Sequence, residues 1–364
     1  MPHSLLVTLV GAVLLAACDA GAPCTDPPLA PEAPAAASYV VHVSIDGLRP
    51  DAVTGQVGEL PTFARLRAEG AFTDNARTDV DFRKTLPNHS AQLTGRPTMG
   101  PSGHGWTENS DPLPWQTLHS NHGAYVASVF DVAHDRGLGT AAYVSKSKFV
   151  LFARSYDGEH GAPDTTGADN GRGKIDTYVY DDDTAALVQR LVGDLDESPA
   201  AYTFVHLRDP DSAGHASGWD LTPGSPYLRA VQRADALLGQ IVAAVESDPR
   251  LAGRTSLVVT ADHGGLGTDH GPDIPEDYTV PFYVWGAGVG PGDLYAANAS
   301  DRRDPARDQV PADAPQQPVR NGDAANLALR LLGLPPVPCS TWGGTAPLLV
   351  PLTLSPLATG GAPP

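Results

Sequence analysis

The sequence predicts an α/β fold that is built as one domain. Short apolar segments rich in β-branched residues alternate along the chain with segments of helical periodicity. Carboxylate, imidazole and hydroxyl side chains directly follow several of the strand-like segments. Because ligands of open α/β sheets bind at the carboxyl ends of strands, this order is typical of a metalloenzyme of that class. A length of 364 residues would also allow two small domains, and the regular alternation favours one.

The predicted elements follow one another in a simple order. β-branched and apolar residues predominate in five expected strands, at residues 39–45, 140–144, 200–205, 257–260 and 280–285. Helical spacing of apolar residues or helix start and stop signals mark six expected helices, at residues 61–69, 87–94, 128–135, 183–192, 226–245 and 324–332. Gly70, Gly95 and Gly333 are predicted to end helices, and Asp323 to cap the last one.

The beginning of the chain is predicted to direct export. Residues 5–17 form an apolar run that is too short to span a membrane but suits a secretory signal peptide, which we assign to residues 1–17. The LAAC motif that ends at Cys18 resembles a bacterial lipobox, in which the cysteine is lipidated and becomes the new amino terminus. Residues 18–38 are rich in Pro and Ala, as in an extended tether. We therefore expect an exported lipoprotein, periplasmic or at the cell surface, whose lipid anchor attaches it to a membrane.

The folded domain is expected at residues 39–350, with a flexible tail at residues 351–364. Besides Cys18, the chain has Cys24 and Cys339, which an oxidising compartment would permit to pair. Two free thiols are the alternative. The cysteines lack the spacing of a zinc site, so the prediction of a metal centre depends on Asp and His alone.

The charge balance excludes one class of function. The chain has 24 Lys and Arg against 42 Asp and Glu, a formal net charge of −18. A broad basic face is therefore not expected, and neither is a nucleic-acid polymer as partner. Phosphate binding would have to be local, through metal ions or a helix amino terminus.

Two short motifs carry the expected metal chemistry. DxxxGH at Asp211 and His215, and DHG at Asp262 and His263, supply the oxygen and nitrogen donors that zinc or manganese accepts. A lone DHG is more often a turn, but several such groups after separate strands favour a site. Thr85 is predicted at a helix amino terminus, and a nearby dication would stabilise its alkoxide. An ordinary N-cap is the alternative for Thr85, and the two roles are compatible.

Five segments in this order resemble the alkaline phosphatase superfamily and, within it, the type I phosphodiesterase and nucleotide pyrophosphatase branch. They are SIDGLRPD, KTLPNHS, HGWTEN, PDSAGH and ADHGG, and the resemblance extends from Val41 to about Ser340. It implies a central, mostly parallel sheet between helices on both faces. It also implies a hydrolase of phosphodiester or pyrophosphate bonds in small phosphorus esters.

The resemblance further implies a role for each candidate residue. Thr85 would be the nucleophile, and a first divalent ion would be held by Asp46, Thr85, Asp262 and His263. A second ion would be held by Asp211, His215 and His270. Asn109 matches the position of an amide donor to a phosphate oxygen, with a turn residue as the alternative. The implied ions are zinc, with manganese as the alternative, and the implied reaction passes through a phosphothreonine that water then hydrolyses.

Departures from the family pattern leave alternatives open. His270 follows DHG within one loop, whereas longer members place the last histidine far downstream, so His160 and His206 compete for its role. Leu86 stands where nucleotide-cleaving relatives commonly have an aromatic residue, which weakens the expectation of nucleotide specificity. The natural substrate and the oligomeric state are not predicted.

Other activities are weighed on the same residues. A phosphonate or phosphomonoester hydrolase of the same superfamily is one alternative. Sulfate ester hydrolysis is disfavoured because KTLPNHS has neither Cys nor Ser at the place of the modified nucleophile. A non-catalytic metal-binding surface lipoprotein is an alternative of another class, and the intact Thr85 and Asn109 argue against it. Lys146 and Lys148 are interpreted as solvated surface lysines, with contact to a second charge on the substrate as the alternative, and are not counted as catalytic groups.

Overall fold

The computed structural model describes residues 35–55, 57–344 and 346–352. One mixed sheet of eight strands runs through this part of the chain. In chain order the strands are β1 (Tyr39–Ile45), β2 (Ala71–Arg77), β3 (Thr140–Val144), β4 (Thr177–Tyr180), β5 (Tyr202–Leu207), β6 (Thr255–Thr260), β7 (Thr279–Gly286) and β8 (Gly292–Asp293). Their order across the sheet is β4-β3-β5-β1-β6-β7-β2-β8.

The sheet is mostly parallel. β1 pairs in parallel with both β5 and β6, and β3 pairs in parallel with β4 and β5. Only β7 among the described strands runs against its neighbours, β6 and β2. Every residue of β5 and β6 is buried, as is usual for parallel strands that are covered on both faces.

Twelve helices complete the described part of the fold. They are α1 (Pro50–Thr54), α2 (Pro61–Glu69), α3 (Thr85–Thr94), α4 (Leu118–His122), α5 (Val129–His134), α6 (Val150–Ser155), α7 (Thr184–Glu197), α8 (Asp209–Ser217), α9 (Pro226–Ser247), α10 (Pro275–Tyr278), α11 (Leu294–Ala297) and α12 (Asp323–Leu331). Helices α2, α7 and α8 pack against α9, whereas α3 and α5 pack against α12. These groups form two helical layers around the sheet, so the predicted fold class is confirmed. Within the described residues, no helix combines the length and hydropathy that crossing a bilayer requires.

Most predicted elements are present, and the differences have local causes. β1, α2 and β3 have the predicted bounds, whereas β2 and β4 were not predicted. β4 has only four residues at the sheet edge, and β2 contains polar residues and a shift of register against β7. The predicted cap at Asp323 is wrong. Helix α12 begins at Asp323 itself, whose carboxylate accepts hydrogen bonds from the Arg320 amide and the Arg302 guanidinium.

The described ends of the chain contact the domain. The amides of Ala36 and Ala37 donate to the carbonyl oxygen of Leu331, so packing begins shortly before the predicted boundary at residue 39. Pro351 accepts a hydrogen bond from the amide of Gly290. The predicted signal peptide, Cys18, Cys24 and most of the predicted tail lie outside the described residues. Cys339 is disulfide-bonded, which excludes a free thiol at this position.

Candidate metal centre

Three carboxylates meet at the carboxyl edge of the central strands. Asp46 directly follows β1, Asp211 lies in the first turn of α8 just after β5, and Asp262 follows β6 by two residues. Because β5 and β6 are the parallel neighbours of β1, their carboxyl ends lie side by side. All three side chains are buried.

Gly47 permits their close approach. It has a φ of +72°, and a Cβ atom at this position would lie 2.8 Å from the Cα of Asp211. The amide of Asp211 donates to the carbonyl oxygen of Asp46 at 3.0 Å, and the Gly47 amide donates to Oδ1 of Asp262 at 3.1 Å. A larger residue at position 47 would therefore push α8 away from β1.

Four buried atoms at this edge have no hydrogen-bond partner among the described residues: Oδ1 of Asp46, Oδ1 of Asp211, Oδ2 of Asp262 and Nε2 of His263. From Nε2 of His263 the three oxygens lie at 3.5, 4.0 and 3.1 Å respectively. Buried polar atoms without partners are rare and unfavourable, and cations bound among these groups would satisfy all four. The donor set therefore fits a divalent ion such as zinc.

A second donor group adjoins the first. Its members are Asp211, His215 and His270, and one ligand atom from each lies within 4.8 Å of the others. Nε2 of His215 is 3.3 Å and Nε2 of His270 is 3.8 Å from Oδ1 of Asp211. The rings of His270 and His263 stack with their centroids 3.6 Å apart, so the two donor groups are in direct contact.

The three histidines are oriented for metal binding by backbone carbonyl groups. Nδ1 of His263 bonds to the carbonyl oxygen of Gly264 at 2.9 Å, and Nδ1 of His215 to that of Thr268 at 2.9 Å. Nδ1 of His270 bonds to the carbonyl oxygen of Arg83 at 2.5 Å. A carbonyl oxygen only accepts, so each Nδ1 must carry the proton. Nε2 is then left as the ligand atom in each ring, the usual arrangement at metal centres.

Of the three histidines that competed for the last position, the structure brings His270 to Asp211. His206 uses both ring nitrogens elsewhere, since Nε2 donates to Oδ2 of Asp46 at 2.8 Å and Nδ1 bonds to Oγ of Ser145. Its contact orients the Asp46 carboxylate. His160 pairs with Asp157 in the adjacent sequence.

Thr85 is the first residue of α3, as predicted, and is buried. The next amide, that of Leu86, donates to Oδ1 of Asn109 at 3.0 Å, which leaves the amide NH₂ of Asn109 free to donate beside Thr85. His89 connects the helix with the metal ligands, because its Nδ1 donates to the carbonyl oxygen of Thr85 and lies 3.6 Å from Oδ2 of Asp262. Thr85 and Asn109 therefore lie beside the carboxylate cluster.

Lys146 is a member of the site that the sequence interpretation missed. Its Nζ donates to Oδ2 of Asp46 and to Oδ2 of Asp211, both at 2.6 Å. The interpretation as a solvated surface lysine is therefore wrong for Lys146. Its position two residues after β3, which ends at the same sheet edge, was the signal that could have identified it. Lys148 is half-buried and has no hydrogen bond or ion pair to a described residue.

The electrostatics of the site are those of a crowded anionic cluster. Burial raises the pKa of Asp262, and the charge of Asp46 raises it further. Burial lowers the pKa of the His263 imidazole, but the combined attraction of Asp262, Asp46 and Asp211 outweighs it and raises this pKa to about 9. Burial likewise disfavours the Lys146 ammonium, yet Asp46 and Asp211 hold its pKa above the usual value. The three buried carboxylates thus stabilise the positive charges of neighbouring side chains.

Comparisons with known proteins agree with this geometry. Residues 40–280 match the family described as type I phosphodiesterase / nucleotide pyrophosphatase. Human ectonucleotide pyrophosphatase/phosphodiesterase family member 1 is 28% identical over 228 residues, covering 61% of this chain and 23% of that protein. Mouse GPI ethanolamine phosphate transferase 1 is 27% identical over 296 residues, covering 72% of this chain and 28% of the transferase. The chain thus spans about a quarter of the length of these relatives.

Solved structures share the fold. Murine ectonucleotide pyrophosphatase / phosphodiesterase 5, as an inactive threonine-to-alanine variant in complex with AMP, superimposes with a TM-score of 0.57 at 15% identity, covering 87% of this chain and 100% of that chain. A protein of the alkaline phosphatase superfamily from Vibrio parahaemolyticus gives 0.54 at 14% identity, covering 86% and 71%.

The fold and the donor groups define an alkaline phosphatase-like protein with a candidate site for divalent ions. The chain belongs to the type I phosphodiesterase / nucleotide pyrophosphatase family, a family of phosphoric ester hydrolases.

Proposed function

We propose that the chain hydrolyses phosphodiester or pyrophosphate bonds of small phosphorus esters, with Thr85 as the nucleophile. The observation that carries the proposal is the convergence of four unpaired buried atoms, from Asp46, Asp211, Asp262 and His263, beside the helix that begins at Thr85. The matches to phosphodiesterases by family and by fold support the same reaction class.

Two divalent ions would complete the site. The first would be held by Asp46, Thr85, Asp262 and His263, and the second by Asp211, His215 and His270. When bound, such ions stabilise a threonine alkoxide and the negative charge that develops on phosphoryl oxygens. The mixed carboxylate and imidazole donors favour zinc, and manganese is the alternative.

The residues of the chain would act in two steps. In the first, Oγ of Thr85 loses its proton and forms a bond to phosphorus, while the bond from phosphorus to the leaving-group oxygen breaks and that oxygen takes up a proton. In the second, the oxygen of water loses a proton and forms a bond to phosphorus, the bond to Oγ of Thr85 breaks, and Oγ takes up a proton to restore the hydroxyl. The NH₂ group of Asn109 would donate to a non-bridging oxygen, since its own Oδ1 is held by the Leu86 amide.

The test compares substrates and metal states of one protein. After chelation, zinc repletion should restore turnover of bis-nitrophenyl phosphate and exceed turnover of the nitrophenyl monoester and of a phosphonate ester. A higher rate on the monoester would instead assign the protein as a phosphomonoester hydrolase, and a higher rate on the phosphonate ester would assign it as a phosphonate hydrolase. No metal-dependent turnover of any of the three would end the proposal.

The Thr85→Ala variant separates an enzyme from a metal-binding protein without catalysis. It should lose turnover and keep most of its zinc, because Asp46, Asp262 and His263 remain. Thr85→Ser is the matched control and should retain part of the activity. Equal turnover of Thr85→Ala and the wild type would place the nucleophile elsewhere.

Transfer to an alcohol is a second candidate, favoured by the match of 72% of this chain to GPI ethanolamine phosphate transferase 1 of the mouse. A phosphothreonine would pass its phosphoryl group to an alcohol in place of water. Product analysis with added ethanolamine or glycerol distinguishes the two, because a transferase gives a new phosphorus ester and a hydrolase gives free phosphate or phosphomonoester.

We also propose that the protein is exported and held at a membrane by a lipid on Cys18. The apolar run at residues 5–17 and the LAAC motif support this location. The disulfide at Cys339 fits an oxidising compartment.

A further inference from the structure

Lys146 contacts one oxygen of each of two carboxylates, Asp46 and Asp211, and leaves the other oxygen of each without a partner in the described part of the chain. Its ammonium contacts Oδ2 of Asp46 and Oδ2 of Asp211, each at 2.6 Å. Oδ1 of the same two residues is buried and has no hydrogen-bond partner among the described residues. His206 also bonds to Oδ2 of Asp46, so the outer oxygen of this residue has two donors and the inner oxygen has none.

The two carboxylates belong to different proposed ion sites. Asp46 is assigned to the first ion and Asp211 to the second, so one ammonium spans both sites. The Lys146 side chain is only 12% exposed, and the Asp46 and Asp211 side chains are 0% and 4% exposed. Water therefore screens the charges poorly, and their mutual attraction and repulsion are strong.

We propose that Lys146 is a permanent third cation of the site. It holds Asp46 and Asp211 with their inner oxygens turned toward the ions, and it keeps the carboxylate cluster folded when ions are absent. Because it lies on the outer oxygens of the same carboxylates, it also repels the ions and lowers their affinity. This inference rests on the proposed function, since it takes its ion sites from there.

The backbone around Lys146 makes this contact a fixed one. Lys146 lies two residues after the end of β3, and the next residue, Ser147, donates through Oγ to Asp111 at 2.8 Å. Phe149 is fully buried and packs edge-on against the ring of His89. The segment that carries the lysine is thus anchored by β3 before Lys146 and by Ser147 and Phe149 after it.

Lys148 offers a matched control in the same segment. The Lys148 side chain is half-buried and lies near the carboxylate cluster. It makes no hydrogen bond or ion pair with a described residue. Lys146→Met and Lys148→Met remove the same charge and keep a similar stem. Only the first change removes the contact with the two carboxylates.

The first measurement is thermal unfolding of the metal-free proteins. Lys146→Met should melt below the wild type, because removing one partner of a buried ion pair leaves the other charges uncompensated. Lys146→Arg should stay near the wild type, and Lys148→Met should change little. Equal melting temperatures of Lys146→Met and the wild type would overturn the structural half of the proposal.

The second measurement is zinc affinity, determined by competition with a chromogenic chelator. Lys146→Met should bind zinc at least about tenfold more tightly than the wild type, since a repelling cation has been removed. Zinc should then raise the melting temperature of this variant by more than that of the wild type. If Lys146 only positioned the two carboxylates, Lys146→Met would bind zinc more weakly than the wild type. Unchanged or reduced zinc affinity in Lys146→Met would therefore overturn the proposal. Absence of turnover in the zinc-loaded wild type would instead contradict the proposed hydrolase alone.

Discussion

His270 shows how a single residue can depend on the fold for its role. It follows DHG in the same loop, and only the folded chain shows that its Nε2 turns toward Asp211 while its Nδ1 is held by Arg83. Its ring also stacks on His263. The proposed second ion site therefore takes His270, and not His160 or His206, as its last ligand.

Replacing His270 should remove one of the two proposed ions. His270→Asn is expected to bind about one zinc ion per chain in place of two and to lose most turnover, because Asp211 and His215 alone are too few ligands. His160→Asn, whose ring pairs with Asp157, should keep both ions and the activity. Zinc per chain is measured by elemental analysis after dialysis. Two retained ions in His270→Asn would refute the assignment.

Asp277 is a second residue whose surroundings predict a measurable effect. Both its carboxylate oxygens are buried without a hydrogen-bond partner among the described residues. Burial raises its pKa to about 7, against a smaller opposing effect of His263. A carboxyl group with a raised pKa in the folded state binds a proton that the unfolded chain releases above about pH 4. Stability is therefore lost as the pH rises from about 4 to about 7.

Asp277→Asn should remove this loss. In the metal-free protein, the variant is expected to gain more thermal stability over the wild type at pH 8 than at pH 5. Thermal unfolding at both pH values measures the difference between them. An identical gain at the two pH values would show that Asp277 does not titrate in this range.

At the scale of elements, the site depends on how closely α8 approaches β1. Gly47 allows this approach. Trp219, which lies two residues after the end of α8, stabilises it through a hydrogen bond from its Nε1 to the carbonyl oxygen of Gly47. The Trp219 ring lies against Gly214 and Gly265, where added Cβ atoms would come within 2.4 and 2.3 Å of ring carbons. Three glycines therefore set the spacing between the segments that carry the ligands.

Gly47→Ala should separate these elements and weaken ion binding. The added Cβ would meet the backbone of Asp211, and the positive φ adds strain of about 1–2 kcal/mol. Gly137→Ala is the matched control, since Gly137 has a φ of +71° and nothing within 4 Å of an added Cβ. Both variants should lose some stability in denaturant unfolding. Only Gly47→Ala should also lose zinc affinity, and equal losses of affinity would contradict this explanation.

The central elements and most residues of the candidate site could be predicted from the sequence, because β1, β5 and β6 are rich in apolar residues and the three carboxylates lie within four residues after them. The edge strand β4 was missed because three half-buried residues and one exposed residue give little periodic signal. Lys146 was missed for a different reason. Its partners Asp46 and Asp211 lie 100 and 65 residues away in the chain, and the sequence alone does not show which strand ends are neighbours.

At the scale of the whole molecule, the proposed lipid anchor on Cys18 predicts where the protein is found. The wild type expressed in a bacterium should incorporate labelled palmitate and sediment with membranes. Cys18→Ser should lose the label and appear in the soluble fraction, with turnover unchanged because the folded domain is intact. Labelling of Cys18→Ser at the level of the wild type would contradict the assignment of the anchor.

The order of the strands has a consequence for how the protein matures. β1 lies between β5 and β6, although both are synthesised long after it. When Asp46 is synthesised, β5 and β6 do not yet exist beside it. Pairing of strands over such long sequence separations is slow. Uptake of the proposed ions must then await the pairing of β1 with these distant strands, so tight retention of added zinc would report that maturation is complete.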